Sequence, residues 1–562
     1  MFARVRARFP LRFGPRSRVL VAGAIAALLA ATGVWGCAAV LGFEDTTLRA
    51  DADADRVEGG TVEGGPLEEG GPGPDGGTSR LTALPASLIV RRGGNVDVTV
   101  TLARGADVTG AVTIRVSALP SGVTATTATL APGVTTGSLK ITAAPTATLG
   151  AQTITLNADG TALPAALVPL LVADGAGALD VTYDTDGLTS DATKGTGSTF
   201  FALALQADSM VVAAGAGGGS PGALNGWIVR RFGTNGAADA AFATKTAAAG
   251  VLPTDGEAHA IAIDTKGNVI VAGVSQPAPL QQLTIVRLLP TGALDTTFAG
   301  GTVRVAAEVA ATASLAYGVA VQADGAVVVV GARRDIVGMT ESGIILRFTE
   351  NGARDATFNG GATVVLPSAR FVGVSTDATG VLAAGSTIGG SLPSYVVTRR
   401  TAAGAVDPTF GSGGTAAFGN TYRANGFSLL PDGSMALVGE VQQGVAGYTA
   451  GVVTAKGTPV FARAYANATS AGFFGIGVQP DGRVVAAGHT AVTNGEARVE
   501  RILADGNKDM TFGVSGTATI EPAGAPNGFD VTLFSAAIQK DGRILVGGNR
   551  TNAGASLYRL WP

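Results

Sequence analysis

The stretch Gly318-Val-Ala-Val-Gln-Ala-Asp-Gly-Ala-Val-Val-Val-Val-Gly331 sets two short apolar strands on either side of Asp324-Gly325. Asp can cap a turn with its side chain and Gly supplies the φ > 0 residue that closes a hairpin, so the segment predicts a tight antiparallel pair. The pattern returns from Gly426 to Gly439 and from Gly475 to Gly488, and copies closing on Gly215, Gly273, Gly385 and Gly548 bring the count to seven. Five copies keep the turn glycine; Ser209 and Thr379 replace it in the other two.

Two further anchors follow the hairpins. An Arg precedes a Gly by five residues at Arg231, Arg287, Arg347, Arg399 and Arg501, and Arg559 stands three residues before Pro562. Asp-x-Thr-Phe or a variant then begins at Asp180, Asp239, Asp295, Asp355, Asp407 and Asp509, with Tyr183, Phe242, Phe298, Phe358, Phe410 and Phe512 three residues on. A period of about 55 residues marks a supersecondary unit that buries its faces against its neighbours. In five repeats Arg and Asp are eight residues apart, whereas Val452 and Val460 replace both at once in the remaining interval. Joint loss points to a physical pair, an Arg on a third strand holding the Asp of the next turn through charge-assisted hydrogen bonds. Arg559 and Asp180 are left over. Their pairing would close the array, with Gly177 to Thr193 as the outer strand of the last unit and no sheet edge left exposed.

These anchors resemble the delta-60 repeat family of bacterial proteins, over Gly177 to Pro562. The resemblance implies an all-β fold, a β-propeller with one four-stranded antiparallel blade per repeat, and seven copies then make a seven-bladed β-propeller. It implies no defined biochemical role.

Fourteen residues before each closing Gly stand Phe201, His259, Tyr317, Phe371, Asn425, Phe474 and Phe534, at the entry of each innermost strand. On sevenfold closure they ring one mouth of the central channel, a platform for a ligand such as a sugar or peptide. The competing reading is packing between blades: Ile261 and Ile263 would share the side of His259 and press on small residues such as Ala260 and Ala262. Packing is the stronger reading, and His259 and Asn425 are the polar exceptions.

Outward from the repeats, Arg80 to Asp174 alternates apolar and polar residues, as in Val96, Val98, Val100 and Leu102, then Val112, Ile114 and Val116, then Ile154 and Leu156. Period two means half-buried strands, and about seven of them fit an immunoglobulin-like β-sandwich, read here as a spacer. Residues 37–79 are acidic, rich in Gly and Pro, and have little to bury, so they form a flexible tether. Asp51, Asp53 and Asp55 within it lack the turn glycine and closing Glu of a calcium loop. Residues 1–36 carry six arginines and no acid ahead of an uncharged apolar run, the pattern of an export signal. That run ends Val34-Trp35-Gly36-Cys37, which resembles the bacterial lipobox and implies a lipidated Cys37. The alternative is an uncleaved membrane helix, since 18 apolar residues lie at the short end of what spans a bilayer. Ala38 after the Cys implies, by resemblance to enterobacterial lipoproteins, onward transport to the outer membrane.

Of 562 residues, 83 are Gly, 14% are charged, one is Cys and two are His. A disulfide framework and a Cys/His metal site are thereby excluded by counting, and no cofactor or metal is expected. Without residues 1–36 the chain has 33 basic against 42 acidic groups, a net −9 that disfavours nucleic acid as a partner. Gly218-Gly219-Ser220-Pro221-Gly222 matches the nucleophile-elbow pattern and Gly217 to Gly222 the dinucleotide pattern, but no helical pattern follows either. His259 and His489 fall in repeat strands, where structural histidines are the commoner outcome.

The expectation is an envelope lipoprotein, periplasmic or surface-facing on the outer membrane, held to the lipid bilayer by Cys37. It displays the propeller as a non-catalytic binding or scaffold module for an unknown glycan, peptide or protein. A polysaccharide hydrolase or lyase with carboxylates in non-repeated channel loops is the first alternative, and a purely structural surface spacer the second.

Overall fold

The computed structural model describes residues 79–562 except 192, 219–225, 277–279, 306–311, 390–391, 443–446, 467–470, 491–496 and 521–530. The export signal, Cys37 and the tether lie outside the described residues, as does most of the Gly217 to Gly222 loop.

From Arg80 to Ala173 nine strands form two sheets. One orders Arg80–Leu84, Asn95–Ala103, Thr136–Ala143 and Val123–Ala125; the other orders Leu88–Arg91, Ala166–Ala173, Gly150–Asp159, Val112–Ser117 and Ala128–Leu130. The count exceeds seven because the short stretch from Val123 to Leu130 contributes one strand to each sheet. Val98, Val100, Leu102, Val112, Ile114, Leu139, Ile141, Ile154 and Leu156 are buried between them, the inward set of the period-two pattern.

Beyond Gly177 the described residues form seven successive antiparallel sheets. In the third, Thr312–Val321, Val327–Asp335, Glu341–Phe348 and Val364–Pro367 pair in chain order, so each strand neighbours the one before it. The first strands of consecutive sheets touch one another all the way round, and that of the seventh, Val531–Ile538, touches that of the first, Thr199–Leu205. The last sheet takes its outer strand from the front of the array: Leu188–Asp191 pairs antiparallel with Gly554–Leu560. The two ends of the repeat region are thereby hydrogen-bonded into one sheet.

The first sheet departs from four strands. It has three, and after Asp239 the chain makes the helix Ala240–Thr246 where the others turn into an outer strand. Asp239 caps that helix by accepting from the Phe242 N–H, 3.0 Å away. The reason is local: Gly300-Gly301, Gly360-Gly361 and Gly413-Gly414 adopt positive φ on the way to the fourth strand, whereas Ala243-Thr244-Lys245 follow Phe242 and continue a helix.

The two parts meet at the C-terminal residues. Trp561 is fully buried against Leu171 and Ala173 of the sandwich, and the Arg91 Nη2 donates to the Pro562 carbonyl at 3.2 Å.

Candidate functional site

The recurrent Arg and Asp residues lie at the hairpin end of the sheets. Arg287 donates from Nε to Asp295 Oδ2 at 2.7 Å, from Nη2 to Thr297 Oγ1 at 3.0 Å, and from Nη1 to the Glu350 carbonyl of the next sheet at 2.5 Å. Arg347 repeats this with Asp355, Thr357 and the Ala402 carbonyl, and Arg559 with Asp180, Thr182 and the Thr234 carbonyl. Arg231 grips Asp239 with two nitrogens and the Pro290 carbonyl with the third. Arg501 meets Asp509 at 2.8 Å. In five of these units the guanidinium also stacks over the motif ring, Phe242, Phe298, Phe358, Phe512 or Tyr183, 4.5 to 4.9 Å from its centroid. The Arg therefore does more than hold its own turn: in four units it also staples one sheet to the next.

Two units differ. Arg399 is 3.4 Å from Asp407 because its Nη2 turns to Asp377, 3.1 Å away in the neighbouring hairpin. In the fifth sheet, Val452 and Val460 are replaced in function by Arg463, which donates to Asn507 Oδ1 at 2.5 Å, and by Tyr465, whose hydroxyl donates to the Gly506 carbonyl at 2.8 Å. Burial opposes the charged forms of Asp295, Asp355 and Asp509, yet hydrogen bonds from the following Thr and from Arg hold all three below the usual carboxylate range. These carboxylates are committed to turns.

The opposite mouth is built by seven bulges. Each first strand slips register by one residue, between Phe200 and Ala202, Ala258 and Ala260, Ala316 and Gly318, Phe371 and Gly373, Ala424 and Gly426, Phe473 and Gly475, and Leu533 and Ser535. The extra residue at each slip is left unpaired in the ladder, and the strand bends there. In six sheets it is the expected ring member. In the fourth it is Val372, and Phe371 instead packs between sheets with Phe358 and Val396. The fixed count of fourteen fails there because the hairpin is one residue shorter: Ala378-Thr379 alone join Asp377 to Gly380, so Thr379 does not occupy the usual turn-glycine position.

The bulge also corrects the packing argument. Ala258, not His259, shares a face with Ile261, and Ala316, not Tyr317, shares one with Val319. The ring side chains pack on each other about the axis instead. Tyr317, His259, Phe201, Phe534 and Phe474 form an arc with centroid separations of 5.3 to 5.7 Å, and His489 stacks on Phe474 at 4.9 Å. Every one of these five is under 10% exposed, so the arc is a packed cluster. Asn425 is fully buried and donates to the Phe473 carbonyl at 3.2 Å.

Two residues before the ring, the seven copies carry Thr199, Glu257, Leu315, Arg370, Arg423, Gly472 and Thr532. Arg370 clasps Glu341 with Nε and Nη2 at 2.8 and 2.7 Å, and Arg334 donates to the same carboxylate at 2.7 Å. Arg423 faces Glu440 at 3.9 Å. Burial raises Glu341, but the arginines around it prevail and hold it below its ordinary value. These charges went unread in the sequence although a signal was present: they are unrepeated charges at a repeated position.

Glu257 and His259 are 3.6 Å apart; His259 is buried and Glu257 is half-buried. Burial pushes the Glu257 carboxyl up to about 8 and His259 down to about 4, so both are neutral at pH 7. His489 is likewise pushed down to about 4 by burial. A carboxyl whose folded pKa exceeds its unfolded value binds the extra proton in the folded state, so its contribution to stability falls as pH rises from about 4.5 through about 8. Glu257→Gln is expected to gain on the wild type across that window, by up to about 1.4 kcal/mol per pH unit, in urea unfolding at pH 5 and pH 8. An equal difference at both pH values would refute a raised Glu257.

A family model described as a domain of unknown function (DUF5122) beta-propeller matches residues 267–298, 322–358 and 479–512, which fall in the second, third and sixth sheets. With the closed order of sheets, this defines the class: the chain carries β-propeller repeats. Among solved structures it is similar to domains 4 and 5 of the S-layer protein SbsC (17% identity, 16% of this chain and 50% of that one, TM-score 0.13). It is also similar to a mutant Synechocystis apocarotenoid oxygenase (10%, 77% and 94%, TM-score 0.35) and to Sqt1 from Chaetomium thermophilum (12%, 67% and 100%, TM-score 0.32). The chain thus spans half the length of that S-layer fragment, and at these TM-scores none of the likenesses establishes a shared fold. The comparison with curated proteins returned no match. Among the described residues there is no group of His, Cys, Asp and Glu that could hold a metal ion, and no helix long and apolar enough to cross a membrane.

Proposed function

We propose that the chain is a cell-envelope lipoprotein of the outer membrane that displays a seven-bladed β-propeller, residues 177–562, behind an immunoglobulin-like β-sandwich, residues 80–174. The propeller acts as a non-catalytic binding module of delta-60 type for an envelope or extracellular component. One observation carries this reading: a scaffold of repeated residues concentrates its unrepeated ones, Glu257, His259, Arg370, Arg423 and Asn425, at a single mouth. Repetition is what stacking requires, and departure from it at one end is what a binding site requires. The sandwich supports the same geometry. It touches Pro562 and comes near Gly542 at the hairpin end, so the ring mouth faces away from it.

A ligand that binds only the folded chain must stabilise it. A thermal-shift panel of polysaccharides, peptides, calcium and chelator is expected to give a positive, and that shift is expected to be lost in His259→Ala or Asn425→Ala. A shift that survives both substitutions would place binding elsewhere. For the anchor, labelled palmitate is expected to enter the chain expressed in a bacterium and not its Cys37→Ala variant; an unlabelled wild type would remove the lipoprotein reading.

One observation favours the hydrolase or lyase reading. Glu257, kept protonated by burial, is in the state a general acid needs. Release of reducing ends from a bound polysaccharide by the wild type but not by Glu257→Gln would establish it.

A further inference from the structure

Arg370 and Arg423 occupy the same repeat position on neighbouring inner strands, so the ring mouth carries two guanidinium groups side by side. With Arg334 they make three cations against Glu341 and Glu440. Glu341 is saturated by Arg370 and Arg334, which leaves Arg423 with Glu440 at 3.9 Å, beyond hydrogen-bonding distance. Burial, together with the nearby Arg370, lowers Arg423 to about 10. Two further groups are left over. Arg370 is 7% exposed and its Nη1 has no hydrogen-bond partner among the described residues; Asn425 is 0% exposed and its Oδ1 has none either. A half-buried cation too far from its carboxylate to bond it, and buried polar atoms without partners, each raise the free energy of the unliganded chain. A ligand carrying anionic oxygens and hydroxyl donors together would relieve both.

We propose that Arg370 and Arg423 form an anion subsite that holds the carboxylate of a uronic acid in an acidic polysaccharide, with Asn425 Oδ1 accepting from a sugar hydroxyl. This rests on the binding-module reading and names its ligand class. The guanidinium pair supplies charge-assisted hydrogen bonds to the carboxylate. Glu440 competes with the ligand for Arg423, so removing its charge should tighten binding.

The test is calorimetry of the full chain in detergent with trigalacturonate, and with neutral galactotriose as the uncharged counterpart, at two salt concentrations. Trigalacturonate is expected to bind and to weaken with salt, while galactotriose does not bind measurably. Arg423→Gln is expected to weaken binding about tenfold, the loss of one charge-assisted contact. Glu440→Gln is expected to strengthen it several-fold, a change that a merely damaged fold cannot produce. Equal affinity in Arg423→Gln, or no gain in Glu440→Gln, overturns the subsite. Binding of galactotriose or of a tripeptide with a free C-terminus in place of trigalacturonate also overturns it while leaving the binding-module reading intact. A flat response to every probe here and in the thermal-shift panel counts against both.

Discussion

Arg559→Ala is expected to lower the melting temperature by several degrees, Asp180→Ala to do the same, and the double substitution to cost clearly less than the two losses added together. Arg559 is 1% exposed, Asp180 is 0% exposed, and their Nε to Oδ2 contact is 2.7 Å. Removing one member of such a pair leaves the other buried and uncompensated, which costs about 3–5 kcal/mol. The pair is also the seam of the closed array. Arg559 reaches the Thr234 carbonyl of the first sheet, and Leu188–Asp191 lies on the strand that carries Arg559. Arg543 Nη1 stands 3.2 Å from the same Asp180 oxygen, so part of the carboxylate's compensation survives Arg559→Ala. A double-mutant cycle by thermal melting decides the matter, because residues that share a network couple by about 0.5–3 kcal/mol. Additive losses would mean that the two residues stabilise the fold independently and that the seam is held by strand pairing alone.

Gly439→Ala is expected to destabilise the chain by about 3 kcal/mol or more, since a rigid overlap in a packed region must be relieved by backbone movement. A Cβ on Gly439 would lie 1.7 Å from the Arg423 carbonyl oxygen. The other six closing glycines face the same obstacle, with that Cβ 1.8 to 2.0 Å from a carbonyl. The cause is the bulge. Slipping one residue out of register brings the first strand's backbone against the second strand where only hydrogen fits. Gly110, whose Cβ would meet nothing within 4 Å, is the control: Gly110→Ala is expected to melt within a degree or two of the wild type. Equal melting of the two variants would remove the close approach as the reason for the seven glycines. Because a Cβ on Gly439 would press on the Arg423 carbonyl, its substitution should also disturb the anion subsite.

Much of this was legible because it is local. Asp324-Gly325 and its copies determine hairpins through bonds that span a few residues, and an Arg and Asp eight apart meet across one turn. The loss of both at Val452 and Val460 could be read without any structure, and so could the two members left over, Arg559 and Asp180. The helix in the first sheet also had a local signal, since the paired glycines that open the outer strands of the second, third and fourth sheets are missing after Phe242. The ring was legible as a set of positions but not as a geometry. Counting from the closing glycine assumes hairpins of equal length, and the fourth is shorter, so Phe371 stood in for Val372.

By itself, then, the sequence determined the hairpins, their sevenfold recurrence and the Arg–Asp pairs eight residues apart that hold the turns, because each depends on residues close together in the chain. Only the tertiary structure decided where the side chains point. The register slip that turns His259 and Phe201 toward the axis arises between two strands. The meeting of Arg370 with Glu341 joins residues 29 apart on different sheets, and that of Arg559 with Asp180 joins residues 379 apart. The first exists only once neighbouring sheets have stacked, and the second only once the array has closed on itself, because stacking and closure are what bring strands from different sheets within reach of a hydrogen bond.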